Sequence, residues 1–285
     1  MIIRHNKGYL EIGEKTLVMG ILNVTPDSFY DGGKYYGLEK ALNHARNMIE
    51  DGADIIDIGG ESTRPDSEYV SDSEELKRVI PIIKELSRET DKPISIDTYK
   101  AKVADKAIEA GAQIVNDISG LKADNEMARV VAKNNAPVII MHIKGQPHNF
   151  PKEPDYDDVI LDIILSLKER IDFAIKSGIE DNNIIIDPGI GFGKTPKHNL
   201  EIIKRLSKLK NLNRPVMIGT SRKSFISTVL DPPTKDRLSK YNSQLIGTLV
   251  TLVFAIINGA NIVRVHDVQE AVQAVKTCRA ITSIN

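Results

Sequence analysis

The chain has 285 residues, with 41% hydrophobic and 27% charged content, enough apolar material for a sizeable core. A formal net charge of −1 gives no electrostatic ground for binding nucleic acid or a membrane surface, and a single cysteine, Cys278, excludes an internal disulfide and fits a reducing compartment. The first residues carry charges where an export signal needs an apolar core, and the charge-free stretch 241–263 holds too many Asn, Gln, Thr and Gly residues for a membrane span, so the expectation is a cytoplasmic protein without an export signal.

In chain order, the polar, Gly-containing start (7–15) has the composition of a short hairpin. Residues 17–22, Leu-Val-Met-Gly-Ile-Leu, read as the first buried strand, and 23–37 as a long loop rich in turn formers. Ala41, Leu42, Ala45, Met48 and Ile49 then recur at helical spacing. Strand two, 54–58, opens into Gly59-Gly-Glu-Ser-Thr-Arg-Pro65. The next helix begins near Ser73, with Leu76, Val79, Ile80, Ile83 and Leu86 on one face.

Strand three, 93–97, ends on Asp97 and precedes a helix over 100–110. Strand four, 113–118, carries Asn116 and Asp117 near its end and leads to a helix over 124–134. Strand five, 137–142, ends on His142; a Pro- and Gly-containing loop, 144–154, separates it from a long amphipathic helix, 157–177. Strand six, Ile184-Ile-Ile-Asp187, is closed by Pro188, which cannot donate to a ladder. It runs into a glycine loop that resembles a P-loop but has Pro188 at the first position of that motif, and its glycines lack the dinucleotide spacing. Helix 200–209, strand 214–220, a helix in the charge-free stretch, strand 260–267 and helix 268–281 complete the chain.

Eight short apolar strands, each followed by a helical pattern, predict an α/β fold: a (β/α)8 TIM barrel in a single domain over 1–285. A doubly wound open sheet competes, because counting strands does not show closure.

In a barrel, functional residues gather at the C-terminal ends of the strands. Those ends here are Asn23, Glu61-Ser-Thr-Arg64, Asp97, Asn116, His142, Asp187, Ser221-Arg-Lys223 and Arg264-Val-His266. One Asp at a strand end often caps the next helix; eight polar ends around one mouth point to a site. Asp97, Asn116 and Asp187 suit a polar heterocycle with N–H donors. Arg64, Lys223, Arg264 and His266 suit a phosphorylated ligand; Arg264 and His266 are two apart and share a face, into the barrel. Asn23, with Asp27 and Asp31 nearby, is an oxygen set able to help hold Mg²⁺. His142 is the weakest member, equally well read as a structural histidine. No His/Cys cluster has zinc spacing and no Gly-x-Ser-x-Gly elbow occurs.

Seven blocks carry a resemblance: Asn23-Val-Thr-Pro-Asp-Ser-Phe29, Gly59-Gly-Glu-Ser-Thr-Arg-Pro65, Ile96-Asp-Thr98, Val115-Asn-Asp-Ile-Ser-Gly120, Asp187-Pro-Gly-Ile-Gly-Phe-Gly-Lys194, Gly219-Thr-Ser-Arg-Lys-Ser224 and Arg264-Val-His-Asp267. In this order they resemble the dihydropteroate synthases. The resemblance implies condensation of 6-hydroxymethyl-7,8-dihydropterin diphosphate with 4-aminobenzoate to dihydropteroate and pyrophosphate, with Mg²⁺, in a homodimer formed through late helices. It implies a pterin pocket of Asp97, Asn116, Met141, Asp187, Phe192, Gly219 and Lys223. It implies a diphosphate site of Asn23 (through Mg²⁺), Thr63, Arg64, Arg264 and His266. Phe29, Thr63, Pro65, Lys223 and Ser224 would border the aminobenzoate, where sulfonamides compete, and loops 24–37 and 62–68 would close over the site. Lys223, Asp97, Asp187 and Arg264 are the expected catalytic groups.

The sequence departs from the family at Asp66, at Ser227 and over 236–247. A methyltetrahydrofolate-binding methyltransferase is the nearest alternative, but it needs no cationic diphosphate site. A catalytically silent pterin-binding paralogue is the other, but it needs no closing loop.

Overall fold

The structure is a computed structural model that describes residues 1–13, 15–25, 34–62, 67–146, 149–151, 154–230 and 237–284, with the backbone alone for 34–36 and 237–241. The chain opens with an antiparallel hairpin, β1 (Ile2–His5) and β2 (Gly8–Glu11). There follow β3 (Leu17–Asn23), α1 (Lys34–Glu50), β4 (Ile55–Gly59), α2 (Asp72–Glu89), β5 (Ile94–Asp97), α3 (Ala101–Ala110) and β6 (Ile114–Asp117). Next come α4 (Met127–Lys133), β7 (Val138–Met141), α5 (Val159–Lys176), β8 (Ile184–Asp187) and α6 (Pro196–Lys204). The last elements are β9 (Met217–Ile218), α7 (Ser224–Val229), α8 (Arg237–Ile257), β10 (Ile262–Val265) and α9 (Val268–Thr282).

Strands β3 to β10 form one parallel sheet in the order β8-β7-β6-β5-β4-β3-β10-β9. Its two ends meet: Ile186 of β8 bridges Val216, and Ile186 N donates to Pro215 O at 3.0 Å. That contact closes the barrel and decides against an open sheet. The strands are apolar on both faces because each is packed twice. Val18, Ile56, Ile58, Val115, Val138, Ile140, Ile184 and Ile186 face the helices, in a cluster with residues such as Val79, Leu86, Leu167 and Ile202. Met19, Ile55, Ile114, Ile139, Ile185, Met217 and Ile262 fill the barrel interior.

The interior cluster includes Ile3, Leu10 and Ile12 from the hairpin, so the hairpin plugs the N-terminal end of the barrel. The expected hairpin at 7–15 starts earlier in the structure, at Ile2, because Ile3 and Leu10 pair across it with their side chains turned to the same core. The sixth helix also begins earlier than expected, at Pro196 rather than 200. Thr195 and His198 form a reciprocal capping box and Pro196 occupies the first turn, where its missing N–H has no partner to lose. The predicted strand 214–220 contracts to Met217–Ile218, and the short helix α7 is additional to the predicted elements. Ile3 is fully buried in the plug. Ile3→Ala is expected to cost about 3 kcal/mol of stability through lost burial and the cavity left, read by urea unfolding, with turnover at 25 °C unchanged.

Candidate active site

The strand register places Asp97 beside Asn116 across β5 and β6, and Met141 beside Asp187 across β7 and β8. From the other side of the barrel, Arg264 of β10 reaches in. Its Nε donates to Asp57 Oδ2 at 2.6 Å and its Nη2 to Asp97 Oδ2 at 2.6 Å. Asn116 Nδ2 donates to the same Asp57 oxygen at 3.1 Å. One guanidinium, two carboxylates and an amide thus form a connected floor. Asp57 Oδ1 and Asn116 Oδ1 are buried in that floor with no hydrogen-bond partner, which leaves acceptors for a ligand donor.

Burial pushes the Asp97 carboxyl up to about 7, with Asp57 and Glu75 acting the same way and Arg264 and Lys223 against. Burial also raises Asp187, while its bond from Gly189 N (2.7 Å to Oδ1) and the charges of Lys223, Lys194 and Arg264 oppose. Burial lowers Lys223 to about 8; Arg264 adds to that, and Asp187 and Asp97 resist it. Burial works against the Arg264 charge, but Asp57 and Asp97 outweigh it and hold the group above its ordinary range. These shifts place Asp97, Asp187, Lys223 and Arg264 within one electrostatic unit.

Apolar residues wall this mouth: Ile118, Met141, Ile143 and Phe192 form one cluster, with Tyr99 and Phe150 against it. Lys223 Nζ stands 4.0 Å from the centre of the Phe192 ring, a cation–π contact. Gly189 and Gly193 are both left-handed (φ 70° and 63°), and a Cβ on either would collide with the carbonyl oxygen of His142 or Lys144. The loop after β8 is therefore seated tightly on the end of β7, so its glycines serve that close packing as well as ligand access.

Several predicted strand-end residues have partners outside the floor. Glu61 takes Lys100, which also bonds Glu75, each at 2.6 Å. Arg222 bonds Asp267 through Nε at 3.1 Å. His266 Nδ1 lies 3.0 Å from Ser221 Oγ. His142 Nδ1 lies 3.0 Å from Lys194 Nζ, and burial with the nearby lysines drives its pKa down to about 2, as for a structural histidine. Asn23 ends β3 beside Gly59, Gly219 follows β9, and Ser224 opens α7. Phe29, Thr63, Arg64 and Pro65, with Asp27, Asp31 and most of the two predicted loops, lie outside the described residues.

Sequence reasoning missed Asp57. Its signal was a lone carboxylate inside Ile55-Ile-Asp-Ile58, a buried charge that needs a partner. The Glu61–Lys100–Glu75 triad, on three separate elements, had no such local signal. Two cavities, of about 740 and 400 Å³, lie on the outer faces of α2 and α3 and beside the hairpin, away from this floor.

A parallel barrel with a polar, ligand-ready floor at the strand ends has the layout of an enzyme acting on a small molecule. The profile described as "Pterin binding enzyme" matches residues 19–266. The Bacillus subtilis dihydropteroate synthase is 49% identical over 280 residues, covering 98% of this chain and 93% of its own. A Clostridium difficile dihydropteroate synthase solved with pteroic acid superposes with TM-score 0.87 at 47% identity, covering 95% of this chain and 98% of its own. A Yersinia pestis dihydropteroate synthase solved with a sulfonamide drug gives TM-score 0.90 at 41% identity, covering 99% of each chain. The chain belongs to the dihydropteroate synthase family, transferases of folate biosynthesis.

His142 titrates near 6.5 in the unfolded chain and near 2 in the folded one, so its contribution to stability is present above 6.5 and is lost as pH falls toward 2. His142→Gln is expected to flatten the acid side of the stability curve by about 1.4 kcal/mol per pH unit between pH 6 and 4, measured by urea unfolding at each pH.

Proposed function

We propose that the Asp57–Arg264–Asp97–Asn116 floor, with Asp187 and Lys223, is the pterin site of this synthase. The observation that carries the reading is the pair of buried, unpartnered acceptors, Asp57 Oδ1 and Asn116 Oδ1, beside carboxylates whose charge burial disfavours. A pterin ring offers N–H donors to Asp97, Asn116 and Asp187 and a flat apolar face to Met141 and Phe192. Gly219 leaves the ring room, and Lys223 donates from above Phe192. Asn23, Thr63, Arg64, Arg264 and His266 take the diphosphate. Phe29, Thr63, Pro65, Lys223 and Ser224 border the aminobenzoate and hence a competing sulfonamide, such as that bound by the Yersinia pestis relative.

An aryl amine is a weak nucleophile, so the reaction proceeds by ionisation first. The C–O bond breaks, its electron pair leaves with pyrophosphate, and the positive charge spreads over the pterin. Asp97 and Asp187 stabilise that charge as it develops, and Arg264 keeps Asp97 aligned. The amine then forms the new C–N bond and sheds its proton. Among the described residues no cluster of three His, Cys, Asp or Glu could hold a metal alone. Asn23, at the end of β3, offers a side-chain oxygen that would serve as a protein ligand to a Mg²⁺ ion on the diphosphate. When bound, that ion would neutralise charge on the departing pyrophosphate.

The assembly proposed is a homodimer through α8, whose outer face exposes Ile246, Val250, Phe254 and Ile257 at helical spacing. Among the described residues no helix is long and apolar enough to cross a membrane. The proposed compartment is the cytoplasm, consistent with a lone, buried Cys278.

Pyrophosphate release and dihydropteroate formation from the pterin diphosphate, with and without 4-aminobenzoate, test the chemistry. Lys223→Ala is expected to lower kcat by about 10²–10³-fold, and Asp97→Asn to raise the pterin KM by about tenfold or more. Near-normal kinetics in both would overturn the roles, and strict dependence of pyrophosphate loss on the amine would count against ionisation first. Phe254→Asp is expected to give a monomer by light scattering; an unchanged mass, at whatever oligomeric state, would reject the α8 interface.

A further inference from the structure

Lys194 closes the glycine loop after β8, and no residue role assigned above uses it. Its partly buried ammonium has three acceptors, none of them a carboxylate: His142 Nδ1 at 3.0 Å, His142 O at 3.3 Å and Phe192 O at 3.1 Å. His142 is the residue after β7, and its N–H donates to Asp187 O at 2.8 Å. Phe192 lies five residues after Asp187 in the loop after β8, where its N–H bonds Gly189 O at 3.1 Å. Gly193 O is fixed in turn by Tyr156 OH at 3.0 Å. One lysine therefore fastens the end of β7 to the loop that carries Asp187 at its start and Phe192 at its crest.

We propose that Lys194 is a positioning residue for pterin binding, which holds Asp187 and Phe192 in the places where they grip the ring. The proposal rests on the reading of those two residues as pterin ligands. A mobile Phe192 would also lose its T-shaped contact with Phe150 (5.7 Å between centroids) and its place under the Lys223 ammonium.

The lysine acts by charge as well as by hydrogen bonding. Burial lowers its pKa to about 7, with Asp187 opposing and Lys223 and Lys144 adding to the effect, so on the acid side of neutrality it is charged and, with Lys223 and Arg264, favours the ionised form of Asp187. The charged and titratable groups facing it are Asp187, Lys223, Lys144, His198 of α6 and the neutral ring of His142, with Tyr156 packed between Lys144 and His142. A lysine in a site with only neutral acceptors is a costly arrangement. A Met of similar length would fill the space without that cost, so what the ammonium adds is geometry and field.

Steady-state kinetics of Lys194→Met and Lys194→Gln test this, with Asp187→Asn as the control. The Met variant is expected to raise the pterin KM about tenfold or more, with the aminobenzoate KM and the kcat at saturating pterin within about twofold of wild type. Its acid limb of kcat/KM for pterin is expected to move to higher pH, because Asp187 has lost a cation that favours its charge. The Gln variant keeps hydrogen bonding without charge. It is expected to show a smaller rise in KM and the same pH displacement, and it carries the test where the Met variant does not fold. An unchanged pterin KM and an unmoved acid limb in the folded variants overturn the proposal, as does a fall in kcat alone. If Asp187→Asn also leaves the pterin KM unchanged, the failure belongs to the reading of the pterin site; if Asp187→Asn raises it, the failure belongs to Lys194.

Discussion

The floor of the barrel depends on one buried cation. Arg264 is about four-fifths buried, and a guanidinium does not shed its proton in a protein. A charge that cannot be removed must be matched, and Asp57 and Asp97 match it at 2.6 Å each. These contacts join the last strand to the second and third strands of the barrel, residues 207 and 167 positions away in the chain. Removing one partner of such a buried set leaves an uncompensated charge, typically at a cost of about 3–5 kcal/mol. The same arrangement fixes the acceptors a ligand meets. Asn116 is drawn to Asp57 through its Nδ2, so its Oδ1 is left over, and Asp57 spends one oxygen on two donors and keeps the other.

Around that floor, the two halves of the site differ in how they are held. The pterin side is made of strand ends in register and of a loop clamped to β7 by tight glycine packing and by Lys194. Its residues have few alternative positions, which suits recognition of a flat ring through directed hydrogen bonds. The segment around Glu61 is braced differently, by ion pairs rather than by the barrel ladder. Lys100 joins Glu61 to Glu75 and also takes Val70 O, while Glu61 Oε1 takes Val70 N at 3.0 Å.

The strands and their ends were legible in the sequence because a parallel barrel buries each strand on both faces. Polar residues there stand out sharply, as Asp97, Asn116 and Asp187 do. In the structure Asn116 turns into the barrel, while its neighbour Asp117 ties its own loop by accepting from Ser119 N and Leu121 N. Closure was not legible, since it rests on the single bridge Ile186–Val216 next to Pro215. Nor was the hairpin plug, because two four-residue strands are too short to leave a periodic trace. The pairing of Arg264 with Asp57 required knowing that two distant strands face each other across an interior, which no local spacing records.

The departures at Ser227 and 236–247 meet in space. Gln244 Nε2 of α8 donates to Ser227 Oγ of α7 at 3.0 Å. At the next turn Gly247 lies so close to Ile226 that a Cβ there would overlap it. This packing sets how near α7 stands to α8, and α7 begins directly after Lys223, its N-cap residue. The same inner face of α8 braces the turn before it: Thr248 Oγ1 accepts from Arg222 N at 3.0 Å and Thr251 Oγ1 bonds Thr220 Oγ1 at 3.0 Å. Arg222, in a left-handed conformation with φ 55°, is held there by Asp267. A residue that rarely adopts this conformation is thus fixed from two sides, and Lys223 is aimed at Phe192 as a result. The helix that does this carries Ile246, Val250, Phe254 and Ile257 on its opposite face. Anything that seats against that exposed stripe loads the element on which the Lys223 turn depends.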